Sequence, residues 1–373
     1  MGLTKYVLGQ LLDRNTEYNE RLEYGISNVR GVLNTKGISD TRVSVDARDL
    51  SKFLVVRPGG FIFNHRVHDK LGLGYNTSEE TYIFTNDYVA FYVKPDMAEK
   101  VLLPEYLYIW YQRSEFDRYM LFKTYGSATL FFNWDNMCEL EIELPDIDVQ
   151  KQFVAIYKAM VANQHSYEQG LDDLKLAFDA ALDKLKHSES TRTMGDLLYE
   201  VDRRNIDGTI TDVQGINITK QFMPSVANIT GVDLKKYKLV TYGQFAYSGM
   251  QTGRDECIRL ALYQGKEAII ISPAYTVFEC RNEVVLPEYI MMWFSRSESD
   301  RRGWFMSDGS IRTNLDLERL YEIKIPLPDM DTQKSIVKLY IAYTARRSIN
   351  EQMKAQIKDI CPVLIRGSLE YGG

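Results

Sequence analysis

Residues 144–186 read LPDIDVQKQFVAIYKAMVANQHSYEQGLDDLKLAFDAALDKLK, and an altered copy, LPDMDTQKSIVKLYIAYTARRSINEQMKAQIKDICPVLI, begins at Leu327. In the first copy the apolar positions are Phe153, Ile156, Met160, Tyr167, Leu171, Leu174, Phe178, Ala181 and Leu185, at steps of three or four with one gap of seven across Gln164. That is a heptad-like seam on a helix of about forty residues, ~60 Å long at ~1.5 Å per residue. Amphipathic surface helices usually stop by about 25 residues, so this one is expected to run between globules or to pair with its copy. A paired second helix has to return antiparallel, which brings the chain termini together and puts a pseudo-twofold axis across the middle of the pair. Polar breaks at residues 163–166 and 346–348 are expected to set the register. Pro362 is expected to kink or end the second helix, because it removes one internal hydrogen bond and crowds the preceding turn.

The repeat extends beyond the helices. VLLPEYLYIWYQRSEFDR at 101–118 and VVLPEYIMMWFSRSESDR at 284–301 share eleven of eighteen residues at an offset of 183. The same offset carries Gly126-Ser127 onto Gly309-Ser310, Leu144-Pro145-Asp146 onto Leu327-Pro328-Asp329, and Gln150-Lys151 onto Gln333-Lys334. Weaker matches lie upstream: Leu8-Gly9 with Leu11-Leu12 against Met194-Gly195 with Leu197-Leu198, and GGFIFNHR from Gly59 against GQFAYSGM from Gly243. The chain therefore reads as two copies of one unit, with globules at 1–145 and 188–328 and long helices at 146–187 and 329–373. The fold class is α+β. Short apolar runs such as Phe61-Ile62-Phe63 and residues 268–271 predict strands between Gly and Pro turns. Pro104 and Pro287 predict helix starts, where a missing N–H costs nothing, with Trp110 and Trp293 facing inward. Each globule is expected to close on a strand, at 140–144 and 321–325. The middle parts, 20–80 and 205–265, differ most, as suits one frame reading two different targets.

With 373 residues, 45% hydrophobic and 26% charged, the chain fits two globular domains. No apolar run approaches the ~18 residues of a membrane span, and the N-terminus lacks a signal-peptide layout. Four scattered cysteines without a CxxC pair point to a reduced, cytoplasmic setting. The net charge is −6, but it is unevenly placed. Residues 42–70 hold six Lys/Arg against three Asp and residues 219–266 seven against three acids, while helix 146–186 holds five Lys against seven acids. Basic surfaces on both globules are compatible with DNA contact.

Catalytic chemistry is missing. The Asn-Pro-Pro-aromatic motif of amino-methyltransferases is absent, and Gly265-Lys266-Glu267 does not complete a phosphate-binding loop. Asp316, Glu322 and Lys324 resemble a nuclease set only faintly, and Asn133, Glu139 and Glu141 do not preserve it in the other copy. His65 and His68 stand without clustered ligands, so neither a metal nor a cofactor is expected. The chain reads as a binding module without an active site of its own.

The layout of globule, then ELPDIDVQKQFVAIY from Glu143, then globule, then IKIPLPDMDTQKSIVKLY from Ile323, closely resembles the specificity subunit of type I restriction-modification enzymes. The loops YGSATLFFNWDNM from Tyr125 and DGSIRTNLDLERL from Asp308 also resemble that family. The resemblance covers essentially the whole chain. It implies that each globule is a target-recognition domain reading one half of a split double-stranded DNA site. It also implies that the helices act as spacer and docking surface for methyltransferase subunits, with restriction and motor subunits as further possible partners. The internal repeat sets the expected number of methyltransferase subunits at two. A rod of ~60 Å would set the readers somewhat more than one ~34 Å duplex turn apart.

Residue types that pair with base edges or hold phosphates make Asn28, Arg30, Asn64, His65, Arg66, His68 and Lys70 the candidates in the first globule. In the second they are Asn217, Lys220, Gln221, Gln251 and Arg254. The Gly-Ser loops add Lys123, Ser127, Ser310 and Arg312. Acidic helix positions such as Asp172, Asp173 and Asp179 are left for a partner or for water. The competing readings are a coiled-coil scaffold, a stand-alone DNA-modifying enzyme and the specificity subunit of a related type II modification system. The missing motifs count against the enzyme, and the basic, aromatic loops against the scaffold.

Overall fold

Pro104 and Pro287 sit in the first turn of two eight-residue helices, Pro104–Tyr111 and Pro287–Phe294, and around each of these a globule is built. Each is followed by a ten-residue helix, Ser114–Lys123 or Ser297–Met306. The computed structural model describes residues 2–41, 48–67, 69–126, 130–250, 252–281, 283–307 and 314–372, without the side chains of residues 187, 188, 253 and 254. The chain divides into two compact units: residues 1–166 with 351–373, and residues 167–350.

In the first unit an antiparallel four-stranded sheet runs in the order Leu12–Asn15, Tyr88–Val93, Phe61–Asn64, Leu73–Tyr75. Alternate strand residues face opposite sides, and the run Phe61-Ile62-Phe63 uses both. Phe61 and Phe63 pack with Phe91, Tyr106 and Trp110 in the main core, while Ile62 joins Leu54, Val56 and Phe84 in a second layer. That layer carries the pair Leu54–Val56 with Tyr82–Phe84 and the hairpin Arg30–Leu33 with Gly37–Asp40. Thr4–Val7 pairs with the closing strand Glu141–Leu144.

The second unit repeats this plan. Its sheet runs Leu198–Glu200, Thr276–Cys280, Phe245–Ser248, Arg259–Leu262. Phe245 and Tyr247 face the main core, and Ala246 faces a layer of Ile216, Val240 and Ile271. That layer is a four-stranded sheet in which Val213–Ile216 pairs parallel with Ile269–Ile271. The closing strand is Lys324–Pro326 against Thr191–Thr193. Of the strand expected at 321–325, Tyr321 and Glu322 instead finish the helix Leu317–Glu322. Leu8–Leu11 and Met194–Leu197, matched weakly in sequence, are single helical turns whose Leu8, Leu11, Met194 and Leu197 are buried. Trp110 and Trp293 are buried at equivalent places.

The long helices are Ile147–Ser188 and Met330–Gly372, 42 and 43 residues. In the first unit a Cβ on Gly372 would meet Pro145 and one on Gly367 would meet the Phe153 ring. In the second, Tyr167 lies against Arg346 and Phe178 against Tyr340 and Tyr343. Numbers fall on one helix as they rise on the other, so the pairing is antiparallel within each unit. Leu3 lies within van der Waals reach of a Cβ on Gly372, which puts the termini side by side. Leu171, Phe178 and Leu185 are buried as the seam requires. Ile156 is not: it is about half exposed, and Val154 with Tyr157 takes the buried line because the globule core, not only the partner helix, lies against this turn. Gln164, read as a polar break, is buried, as is Asn350. Pro362 does not end its helix, which continues to Gly372 with Leu364, Ile365 and Ser368 buried beyond it. That packing offsets the one hydrogen bond proline removes.

The recurrence of the glutamine in the Gln-Lys pair has an internal cause. Gln150 and Gln333 are fully buried. Gln150 Oε1 accepts from Leu103 N at 3.0 Å, and its Nε2 donates to Val101 O and Pro145 O at 2.8 and 2.9 Å. Gln333 makes the same three bonds to Leu286 N, Val284 O and Pro328 O at 2.9, 3.0 and 2.9 Å. Each glutamine closes the turn between closing strand and long helix onto the loop before the LPEY helix. Its conservation between the copies therefore needs no partner protein.

Candidate nucleic-acid interface

In each unit one loop leaves the central strand of the four-stranded sheet and meets the Gly-Ser loop. In the first unit Arg66-Val67 pairs with Leu130-Phe131, and Phe132 N donates to His65 O at 2.9 Å. In the second, Leu315 N donates to Gly249 O at 3.0 Å. These bonds are equivalent within one residue of the repeat offset. Gly249 is required there, since a Cβ would fall 1.9 Å from Leu315 O. Described residues of two candidate segments, some sixty residues apart in sequence, are thus adjacent in space.

At the first of these sites Asn64 Oδ1 accepts from Arg66 N at 3.0 Å and fixes the turn. The His65 ring stacks on Phe131 with centroids 5.5 Å apart, and its Nδ1–H donates to Asp87 O. Arg66 is exposed, with its guanidinium 3.8 Å from Asp87. In high dielectric such a contact is weak, so the arginine can exchange it for a phosphate or a base. Lys123 ends its helix in an ion pair with Glu139 at 2.9 Å. His68, Ser127, Gln251, Ser310 and Arg312 lie outside the described residues, as does the side chain of Arg254.

The other candidates cluster at a hairpin. Asn28 Nδ2 donates to Thr81 O at 3.1 Å and its Oδ1 accepts from Gly25 N. Arg30 donates to Ser27 O and Val29 O, pairs with Asp40 at 3.5 Å and lies 4.6 Å over the Tyr82 ring. Both are occupied in building the hairpin. Lys70 is half-buried beside it. In the second unit Asn217 Oδ1 accepts from Gln221 N at 3.0 Å and closes the hairpin turn, leaving Gln221 exposed. Lys220, expected to face DNA, is turned inward. Its ammonium donates to Phe294 O and pairs with Asp300 at 2.6 Å, with 7% of the side chain exposed. Asp179, expected to be left for a partner or for water, is 3.3 Å from the Arg296 guanidinium. Burial of that carboxyl raises its pKa, against the pull of Arg296.

Three features were not found by residue type. Lys36 matches Lys220 in place, and the shared dipeptides Thr35-Lys36 and Thr219-Lys220 were its available signal. Asn34 is exposed at the tip of the first hairpin. Phe122 and Phe305, at the repeat offset and just ahead of the Gly-Ser loops, are 83% and 87% exposed. Among the described residues no group of three or more His, Cys, Asp or Glu could hold a metal ion, and no helix is long and apolar enough to cross a membrane. The four cysteines are free thiols.

Residues 228–359 match the family model of the type I restriction modification DNA specificity domain. The chain resembles the specificity subunit of type I restriction-modification enzymes. No curated protein matches it in sequence. Among solved structures, the HsdS subunit from Thermoanaerobacter tengcongensis aligns over 99% of this chain and 96% of its own at 13% identity, with a TM-score of 0.38. The type I restriction-modification system S subunit from M. genitalium aligns over 99% and 95% at 12% identity and 0.49. A chain from work on complex assembly and conformational transition of the type I R-M system aligns over 99% and 98% at 13% identity and 0.46.

Proposed function

We propose that this chain is the sequence-specific DNA-recognition subunit of a type I restriction-modification complex. Residues 1–145 and 188–328 are its two target-recognition domains, each reading one half of a bipartite double-stranded site. Residues 146–187 and 329–373 form the helical spacer. The observation that carries this reading is the tether of each Gly-Ser loop beside the loop after the central strand, made by equivalent bonds. The side chains presented there differ, His65-Arg66 in one unit and Gly249-Met250 in the other. A constant frame presenting unlike side chains twice is what a split, asymmetric target demands, because base edges specify while backbone contacts only position. The chain supplies no catalysis. One methyltransferase subunit docks per copy of the frame, on the exposed first turns of the long helices, where the pairs Asp148–Lys151 and Asp331–Lys334 recur.

The test is selection of a random DNA library by the chain assembled with its methyltransferase. Two short fixed motifs separated by a spacer of constant length are expected, with methyl transfer only when the partner is present. A single continuous motif, no selection at all, or methyl transfer by the chain alone refutes the reading. The mass of the saturated assembly reports the two docked subunits, and a stable one-to-one complex refutes symmetric docking.

A further inference from the structure

We propose, building on the DNA-reading assignment, that Lys36 and Lys220 are positioning residues that aim the two recognition hairpins. Neither ammonium touches DNA. Both lysines occupy hairpin turns and have positive φ, 63° and 60°, a region in which residues with a Cβ are uncommon. The side chain supplies the reason for a lysine there. Lys36 Nζ donates to Tyr111 O at 2.5 Å and pairs with Asp117 at 2.8 Å. Lys220 Nζ makes the equivalent contacts to Phe294 O and Asp300. The acceptor carbonyls lie at the C-terminal end of the LPEY helix, where helix polarity favours a cation. The carboxylates come from the first turn of the following helix. Each ammonium thus bridges the corner between two frame helices, with 4% and 7% of the side chain exposed.

The arrangement locks the hairpin to the frame. Tyr108 Oη donates to Lys36 O at 2.8 Å. In the second unit Asp300 also accepts from Ile258 N at 2.9 Å, so one carboxylate holds both the hairpin and the segment after the central strand. The exposed residues next to each lysine, Asn34-Thr35 and Ile218-Thr219, form the hairpin tips. The flanking sequences are otherwise unlike, yet Thr-Lys recurs. A buried charge leaves its water only where it is paired and hydrogen-bonded, so a duplicated pair of this kind fixes geometry. Swapping tip residues on an unmoved lysine would change what is read without changing how the hairpin is aimed.

The test uses the assembled complex on its selected site, on sites with either half scrambled, and over a range of salt. Lys36→Met is expected to lower discrimination at the first unit's half-site by about tenfold or more, the equivalent of one good base contact. Discrimination at the other half-site and the salt dependence should be unchanged. Lys220→Met should do the reverse, and Asp117→Asn and Asp300→Asn should reproduce each effect with the lysine still present. A uniform loss across sequences, with the salt slope reduced by about one, would mark a phosphate contact instead and overturn the proposal. Hydrogen exchange without DNA tests the latch alone. Amides of residues 30–40 should exchange faster in Lys36→Met while those of residues 88–93 do not, and unchanged hairpin exchange overturns the latch. Wild-type protein that selects no sequence overturns the DNA reading itself, while the exchange result still stands or falls separately.

Discussion

Replacing Gln150 by leucine keeps the side-chain volume and removes all three bonds to Leu103 N, Val101 O and Pro145 O. The residue is fully buried, so water does not take their place. At about 1 kcal/mol net for each bond the loss is about 3 kcal/mol, and the more favourable burial of leucine offsets roughly 1 kcal/mol. A net cost of about 2 kcal/mol corresponds to a roughly thirtyfold change in an opening equilibrium. The Leu103 amide, whose acceptor is the glutamine itself, is the local reporter. Its hydrogen-exchange protection should fall by about thirtyfold in Gln150→Leu while that of Leu286 in the other unit stays put. Gln333→Leu should show the opposite pattern. Because the two glutamines lie in separate compact units, the double variant should be additive within ~0.5 kcal/mol. Leu103 protection unchanged within a factor of two, together with an unchanged urea midpoint, would refute the claim that this amide holds strand, helix and loop together.

Other outcomes follow from the same geometry. Leu171→Asp places a carboxylate at a buried helix-pair position and should cost several kcal/mol; an unchanged melting temperature would mean the seam is misplaced. Asp329 caps the second long helix through the amides of Asp331 and Thr332 and the Thr332 hydroxyl, and these bonds, those to Thr332 first, hold its carboxyl below the usual range. Its folded pKa is depressed, so its contribution is complete above the unfolded value of about 3.9 and fades as pH falls through the folded one. The melting-temperature gap between wild type and Asp329→Ala should therefore be constant from pH 7 to about 5 and shrink toward pH 2; a constant gap down to pH 2 would count against the cap. Arg66→Ala, at an exposed side chain, should leave stability within ~0.5 kcal/mol and weaken discrimination in one half-site only; a uniform loss across sequences would mark Arg66 as a backbone contact.

Much of this architecture is local in origin and was legible in residue order. The repeat, the two long helices, the helix starts at Pro104 and Pro287 and the inward Trp110 and Trp293 all follow from identity at fixed offset, from periodicity, or from what proline does to a first turn. Within the candidate site, the adjacency of residues 65–67 to residues 130–132 and of Gly249 to Leu315 was not legible. A two-residue strand pair and one backbone bond per unit create it, and neither leaves a pattern in sequence. The order of the sheet strands was hidden for the same reason. Lys220 and Lys36 show the limit most plainly. Composition marks a lysine in a polar turn as a surface cation, and only the carboxylate and helix end, some 75 to 80 residues away in the chain, turn it inward. Ile156 and Val154 differ by two positions on one helix, and the globule against that turn decided which is covered. Sequence by itself determined the elements and their duplication, because those depend on neighbours a few residues apart. Tertiary structure decided which polar groups are buried and which loops meet, because the partners that make burial of a charge or an amide tolerable come from distant parts of the chain.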